Sequence, residues 1–435
     1  MNLDAAIDFV EGHIDYSSWA SRSARTGPVE LSLDRMRRFV ELLDNPQTLV
    51  PIIHVTGTNG KGSTSRMTTR LLMAEGLRVG TYSSPHLARY NERFRLDDID
   101  IEDDVLAAII ANAAAAEESL GERLMPFEVL TGAAYAWFAG ERVDVAVIEV
   151  GVLGRFDATN VGDGQVAVVT NIGFDHTNGE GDWQMRIADE KAGIVKRGMH
   201  LILGEVPPRL EPVFKAEQPG SMWRLGHEII KATDSASPAG RQLSVRTPLQ
   251  SLDNLVLPLH GAHQSANCSL AIAAASAFLG RPLNPASVAD ALAQVRMPAR
   301  LETVVSNAHV ILDGAHNPDA AAALARAVHD DMTCTGRRTL IVGLLAGRDP
   351  TTMLAALDAK GFDKIIACTP PTARARPAWE LAEAAAGLGI PVLTIEHIAD
   401  ALDAALSDAA PDDQIVVTGS IYLVADARTW LLGRS

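Results

Sequence analysis

Thr56-Gly57-Thr58-Asn59-Gly60-Lys61-Gly62-Ser63-Thr64 follows the apolar run Leu49–Val55 and opens a stretch of helical pattern, Ser63–Glu75. Strand, glycine-rich turn and helix in that order form the phosphate-binding unit of open α/β sheets. Glycines let backbone N–H groups converge on anionic oxygens. The helix N-terminus adds its partial positive charge. Lys61 can reach β- and γ-phosphates, and the Ser63 hydroxyl can sit on a divalent cation. The strict GxxxxGK[ST] spacing is not met, because Gly62 separates Lys61 from Ser63. Thr58, Asn59, Gly60, Lys61, Gly62 and Ser63 are therefore candidate phosphate contacts, with a structural turn as the competing reading.

Outward from this loop, strand-like runs at Arg78–Tyr82, Val143–Val150, Gln165–Thr170 and His200–Leu203 alternate with helical stretches. Those helices are expected at Asp103–Glu118, Phe127–Ala139 and Ala188–Lys196. Such alternation predicts a parallel α/β sheet. Short β-type runs at Glu228–Ala232, Gln242–Val245 and Leu255–Leu259, broken by Pro, Gly and Ser, predict a small antiparallel region. Helices resume at Ser265–Leu279 and Pro285–Gln294. Strands at Val310–Asp313, Thr339–Val342, Lys364–Ala367, Pro391–Thr394 and Gln414–Thr418 then begin a second α/β cycle. With a boundary at Met297-Pro298, the expectation is a P-loop-type central sheet domain, residues 1–297, that includes the antiparallel β region. A doubly wound α/β C-terminal domain, residues 298–435, follows it.

The 435 residues are 47% hydrophobic and 21% charged, which is globular usage. Lys and Arg number 38 against 54 Asp and Glu, a net charge of −16 that argues against nucleic acid or an anionic membrane as partner. No apolar run is long enough to span a bilayer. The N-terminus has no basic-then-apolar leader pattern. Cys268, Cys334 and Cys368 are scattered and form no CxxC pair, so reduced thiols, a cytoplasmic location and no structural zinc are expected. Asp97–Asp104 reads as a solvated loop and helix start.

The motifs also carry a resemblance. The phosphate loop followed by Ser83-Ser84-Pro85-His86-Leu87 is similar to folylpolyglutamate synthases and the bifunctional dihydrofolate synthase/folylpolyglutamate synthases, within the Mur ligases. Pro126-Phe127-Glu128, Glu149-Val150-Gly151, Arg155-Phe156-Asp157-Ala158-Thr159-Asn160, Asp175-His176-Thr177 and Glu190-Lys191-Ala192-Gly193-Ile194 extend it. Pro298-Ala299-Arg300, Asp313-Gly314-Ala315-His316-Asn317-Pro318 and Thr418-Gly419-Ser420 carry it through the C-terminal part.

The resemblance implies an ATP-dependent ligase that activates a carboxylate as an acyl phosphate. L-glutamate then joins to dihydropteroate or a reduced folate. Positioning and charge neutralisation dominate such chemistry. Lys61, His176 and Lys191 are the implied catalytic residues. Ser63, Ser84, Glu149 and His176 are implied ligands of two Mg2+ ions, for which hard oxygen donors and an imidazole are suitable. Glu149 ends a buried strand, where a carboxylate is costly unless paired or metal-bound. From the residues alone, Lys191 beside Glu190 reads as a surface ion pair. The resemblance implies instead a carbamate, derived from CO2, that helps organise metal.

ATP would also meet Asn267, Arg300, Asp313 and His316; a guanidinium is suited to phosphate and an acid at a strand end to ribose. The acceptor substrate would meet Ser84, Pro85, His86, Met125, Pro126, Phe127, Glu128, Arg155, Phe156, Asp157 and Ala158. Phe127 can stack on a flat ring, or be an ordinary core residue. Leu31-Ser32-Leu33-Asp34-Arg35 is similar to the family's Leu-Gly-Leu-Glu-Arg segment, and Pro28–Leu31 matches a pterin-contact region of the family, which implies Leu31 as a substrate contact.

One departure matters. The family's Glu-Val-Gly-Leu-Gly-Gly-Arg reads here Glu149-Val150-Gly151-Val152-Leu153-Gly154-Arg155, so Leu153 replaces a glycine. If that glycine used positive φ, a leucine is expected to demand another loop path. Rival readings are a Mur-type ligase with a different carboxylate substrate, an ordinary P-loop kinase, and a catalytically silent nucleotide-binding module. A UDP-sugar-dependent Mur ligase would need a domain before the phosphate loop, where only about 55 residues stand. A monomer is expected.

Overall fold

The computed structural model describes residues 1–13, 32–175, 177, 179–306 and 308–433. The chain forms two compact units. The first holds residues 1–232, 245–253 and 266–292, and the second residues 233–244, 254–265 and 293–435.

The first unit is built on eight strands: β1 (Ile52–Thr56), β2 (Val79–Tyr82), β3 (Phe94–Leu96), β4 (Ile99–Asp100), β5 (Val145–Glu149), β6 (Val166–Asn171), β7 (His200–Glu205) and β8 (Ser221–Arg224). Their order is β4-β3-β2-β5-β1-β6-β7-β8. All pairs are parallel except β2 with β3 and β3 with β4. β1, β2 and β5 are buried along their whole length. That explains their near-continuous apolar sequences, since helices cover both faces of a parallel sheet. One face packs Ile52, Ala146, Ile148 and Tyr82 against helices Asp103–Leu120 and Pro126–Gly140. A second cluster packs Val150, Ala167, Val169, Leu201 and Leu203 against helix Trp183–Ala192 and Phe214. The chain leaves β1 for β2 on one side and resumes with β6 on the other. This places a crevice at the carboxyl ends of β5, β1 and β6.

Strands β9 (Ile230–Ser237), β10 (Gly240–Arg246) and β11 (Ser251–Leu257) form the small antiparallel sheet, in the order β11-β10-β9. The second unit's main sheet has β12 (Glu302–Val305), β13 (His309–Leu312), β14 (Arg338–Val342), β15 (Lys364–Ala367), β16 (Val392–Thr394) and β17 (Gln414–Thr418). Its order is β12-β13-β17-β14-β15-β16, parallel apart from β12. Among the described residues no helix is long and apolar enough to cross a membrane. Cys268 and Cys368 are buried, and Cys334 is partly exposed.

Three local differences from the sequence reading have physical causes. The helix expected at Ala188–Lys196 runs Trp183–Ala192, because Asp182 caps its start by accepting the Met185 N–H at 3.2 Å. Asp97 and Asp98 form the left-handed turn of the β3–β4 hairpin, with φ of 52° and 59°; short polar side chains tolerate that region. Asp98 is not solvated: its carboxylate lies 2.8 Å from Arg66 and 2.8 Å from Arg70. Finally, residues 233–244 and 254–265 group with the second unit, whereas the sequence reading kept them in the first. The buried Arg241 guanidinium explains the grouping. It binds Asp234 at 2.6 Å and Asp331 at 2.9 Å, while Asp331 also accepts the Gly261 N–H and Asp234 the Ser265 hydroxyl.

Removing one partner of a buried ion network leaves uncompensated charge. Arg241→Met strands two carboxylates and should cost about 2–4 kcal/mol, measured as a lower urea midpoint. An unchanged midpoint would show that the network does not hold the segment.

Candidate active site

The phosphate loop leaves the carboxyl end of β1 in the crevice. Gly57 has φ of 150°, and a Cβ there would collide with Thr170 Oγ1. Gly60 has φ of 82°, and a Cβ there would collide with the Asn267 side chain. Helix Lys61–Ala74 starts without a side-chain cap, so its first N–H groups are the orphan donors that suit an anion. Asn171, at the end of β6, clasps the loop. Its Oδ1 accepts the Thr58 and Asn59 N–H groups at 3.1 and 3.0 Å, and its Nδ2 donates to Asn59 O at 3.1 Å. Lys61 Nζ donates to the carbonyls of Gly57 (3.1 Å) and Thr58 (3.3 Å).

Glu149, only 4% exposed, comes from β5 in register with Val55 of β1. Its Oε2 accepts the Ser84 N–H at 3.2 Å and would lie 3.4 Å from a Cβ on Gly62. The structure thus brings Glu149, Ser84 and the loop residues Gly62 and Ser63 to one edge. Among the described residues no group of three His, Cys, Asp or Glu side chains gathers as a metal site. His176 and Leu31 lie outside the described residues. The donors that are described, a buried carboxylate beside serine groups, have the hard-oxygen chemistry of an Mg2+ site. The Ser84–Pro85 peptide is cis. His86 Nδ1 accepts Arg93 Nε–H at 2.9 Å, and burial together with Arg93 pushes the imidazole down to about 4.

Lys191 is 3% exposed, which corrects the surface ion pair its sequence neighbours suggest. Burial pushes its ammonium down to about 7; Lys61 acts in the same direction, and Asp175, Asp157 and Glu190 oppose it. The Arg155–Asn160 segment builds this socket. Arg155 N–H donates to Glu190 O at 2.7 Å, and Asn160 Nδ2 donates to Arg155 O and Gly193 O. A Cβ on Gly154 would lie 3.2 Å from Lys191 Cα. The Arg155 guanidinium itself binds Glu217 at 2.6 Å and Asp189 at 3.3 Å.

Phe127 lies against Gly151, where a Cβ would come 2.6 Å from its ring, and beside Tyr82 with centroids 5.7 Å apart. Met125, Val152 and Phe156 expose apolar side chains. Pro126 occupies the first turn of its helix, a position that needs no N–H donor. Glu128 completes a capping box: its Oε2 accepts the Met125 N–H at 2.6 Å and pairs with Arg35 at 2.6 Å. Ala158 is buried at the start of a short turn capped by Asp157. Leu153 adopts φ of 62°. The left-handed backbone that a glycine would favour is therefore kept by the leucine.

In the second unit, Arg300 stands between Ala299 (φ 57°) and Leu301 (φ 49°). Asp313 holds that turn, accepting the Leu301 and Ala315 N–H groups at 2.9 Å each. Burial pushes the Asp313 carboxyl up, and Arg300 opposes it. His316 Nδ1–H donates to Gly314 O at 2.9 Å, and a Cβ on Gly314 would lie 2.5 Å from Arg300 Nη1. Asn317 caps the next helix.

Comparison with known proteins gives this arrangement its family. Residues 55–275 match the Mur ligase middle domain, and residues 299–421 the Mur ligase glutamate ligase domain. The folylpolyglutamate synthase of Lacticaseibacillus casei is 35% identical over 427 residues, covering 95% of this chain and 96% of that one. The dihydrofolate synthase/folylpolyglutamate synthase of Mycobacterium tuberculosis is 36% identical over 447 aligned positions, covering 93% and 91%. Crystal structures of a Mycobacterium tuberculosis folylpolyglutamate synthase complexed with ADP and AMPPCP match with a TM-score of 0.87 at 34% identity, covering 92% and 95%.

The chain belongs to the folylpolyglutamate synthase/dihydrofolate synthase family of Mur ligases. It is an ATP-dependent ligase, α/β in both units.

Within this ligase, the sequence reading missed Thr170 and Asn171, which fix the phosphate loop from the neighbouring strand. Their signal was present as two polar residues closing an apolar strand. Gly60→Ala tests the loop's steric requirement. A Cβ in left-handed backbone against Asn267 should weaken ATP binding by about tenfold or more, measured by calorimetry. Wild-type affinity would mean that the loop tolerates the side chain.

Proposed function

We propose that this ligase uses ATP to activate a carboxylate of dihydropteroate, of a reduced folate, or of both, and joins L-glutamate to it by an amide. The observation that carries this reading is the convergence of the phosphate loop, Glu149 and buried Lys191 at one sheet edge. A carboxylate oxygen attacks the γ-phosphorus and ADP leaves. The glutamate nitrogen then attacks the acyl carbon, phosphate leaves and the amine gives up a proton. In this reading Thr58–Ser63 hold the phosphates and Lys61 neutralises charge on the transferring phosphoryl group. Asn267, Arg300, Asp313 and His316 meet the rest of ATP. Phe127, Phe156, Met125 and the segment Ser84–His86 offer the flat apolar surface and polar contacts for the acceptor. Arg155, Asp157 and Glu128 act by holding that surface in place, as their ion pairs and capping bonds support.

Mg2+ would be held by Ser63, Ser84, Glu149 and His176, and when bound it supplies neutralising charge on the phosphates. The carbamate reading of Lys191 is supported by its burial beside Lys61. An amine lowered to about 7 is neutral, and so nucleophilic toward CO2, in a far larger fraction than an ordinary lysine. We also propose a two-part division of labour near residues 1–297 and 298–435, a monomer, and a cytoplasmic location. The last is supported by three scattered cysteines that form no CxxC motif.

Phosphate release from Mg-ATP, with products identified by mass, tests the substrate. A glutamyl mass on dihydropteroate, on a reduced folate or on both identifies the acceptor, and turnover of neither overturns the reading. Lys61→Ala should abolish ligation; a near wild-type rate would remove the loop from the mechanism. Lys191→Ala should lose activity and regain part of it with added short carboxylic acids. Unchanged activity would end the carbamate reading. CO2 adds to the free amine, so at fixed CO2 partial pressure the carbamate should form more readily as pH rises from 6 through 7 to 8. Bicarbonate-depleted enzyme reactivated across that range measures it, and a flat response contradicts it.

A further inference from the structure

His54 stands on β1, two residues before Thr56 and fully inside the sheet. Its Nε2 is 2.9 Å from Thr159 Oγ1. Thr159 Oγ1 in turn donates to Asp157 Oδ1 at 2.5 Å, and the Thr159 N–H donates to the same oxygen at 3.0 Å. A hydroxyl has one proton. Given to the carboxylate, it leaves the oxygen to accept, so the imidazole proton sits on Nε2. The other Asp157 oxygen accepts the Val152 N–H at 2.9 Å. A chain of hydrogen bonds therefore runs from β1 to the turn that follows Glu149. Thr56 grips the far side of the same turn, donating to Leu153 O at 2.5 Å.

We infer that His54 and Thr159 are positioning residues that lock the 151–156 turn to the strand carrying the phosphate loop, and so set how the acceptor substrate is held. This rests on the reading that the acceptor lies against Phe127 and Phe156. Burial keeps the His54 imidazole neutral, down to about 3, so it serves as a fixed donor and not as an acid. With the donor or the hydroxyl gone, Asp157 loses part of its orientation and the start of the turn loses the anchor opposite Thr56, while Arg155 keeps its bond to Glu190 O. The phosphate loop keeps its own clasp from Thr170 and Asn171.

The test compares His54→Leu and Thr159→Val, which remove the link at similar volume, with His54→Gln and Thr159→Ser, which retain a donor and a hydroxyl. The first pair should raise KM for the acceptor about tenfold with KM for ATP unchanged, and the second pair should restore it. Hydrogen exchange of full-length protein should show faster amide exchange in residues 150–157 in the first pair, with residues 57–63 unchanged. This second measurement needs no substrate, so it stands even where the wild-type chain turns over neither pterin acceptor. Equal rises in both KM values, no change in either, or unaltered exchange in 150–157 would overturn the inference.

Discussion

Strand β1 is buried along its whole length between β5 and β6, so its backbone groups can be satisfied only by those two neighbours. At its carboxyl end the chain must turn within a space already occupied by Thr170 and Asn171. Gly57 and Gly60 are the residues that fit, because both have positive φ and a Cβ at either position collides with a neighbouring side chain, Thr170 or Asn267. The helix that follows then begins with no capping side chain. Its unsatisfied N–H groups and dipole are left for an anion. The uncapped helix start beside the glycine-rich loop is thus a consequence of where β1 ends.

The same edge sets the environment of Lys191. An ammonium removed from water is penalised, and a second cation nearby adds to the penalty. Asp175, Asp157 and Glu190 pull the other way, yet burial prevails. Loss of the proton relieves the desolvation. The neighbourhood of Lys191 therefore favours a neutral amine over an ammonium.

Local chemistry was legible in the sequence; tertiary placement was not. The phosphate loop could be read because strand, glycines, lysine and hydroxyl lie within one short segment. The two parallel sheets could be read because fully buried strands leave continuous apolar runs. Lys191 could not be read from its neighbours, because its burial depends on Arg155, Asn160 and Gly154 folding over the helix from 31 to 37 positions earlier in the chain. Asp98 looked solvated in an acid-rich stretch, since its two arginines come from a different helix. The antiparallel strands were recognisable as strands, but the buried Arg241 network that ties residues 233–244 and 254–265 into the second unit joins residues some ninety positions apart.

Leu153 shows how a family rule can be broken locally without losing its geometry. Left-handed backbone costs a leucine about 1–2 kcal/mol relative to glycine, and such strain persists only where the surroundings over-determine the conformation. Here three constraints do so. Thr56 holds the Leu153 carbonyl, Asp157 holds the amides of Gly151 and Val152, and the leucine side chain packs against the core cluster that lies on that face of the first sheet. Two of those three are the anchors that glycine would also have had. The third comes from the leucine side chain alone. The replacement therefore keeps a left-handed backbone in the turn and adds apolar packing against the core that a glycine could not supply.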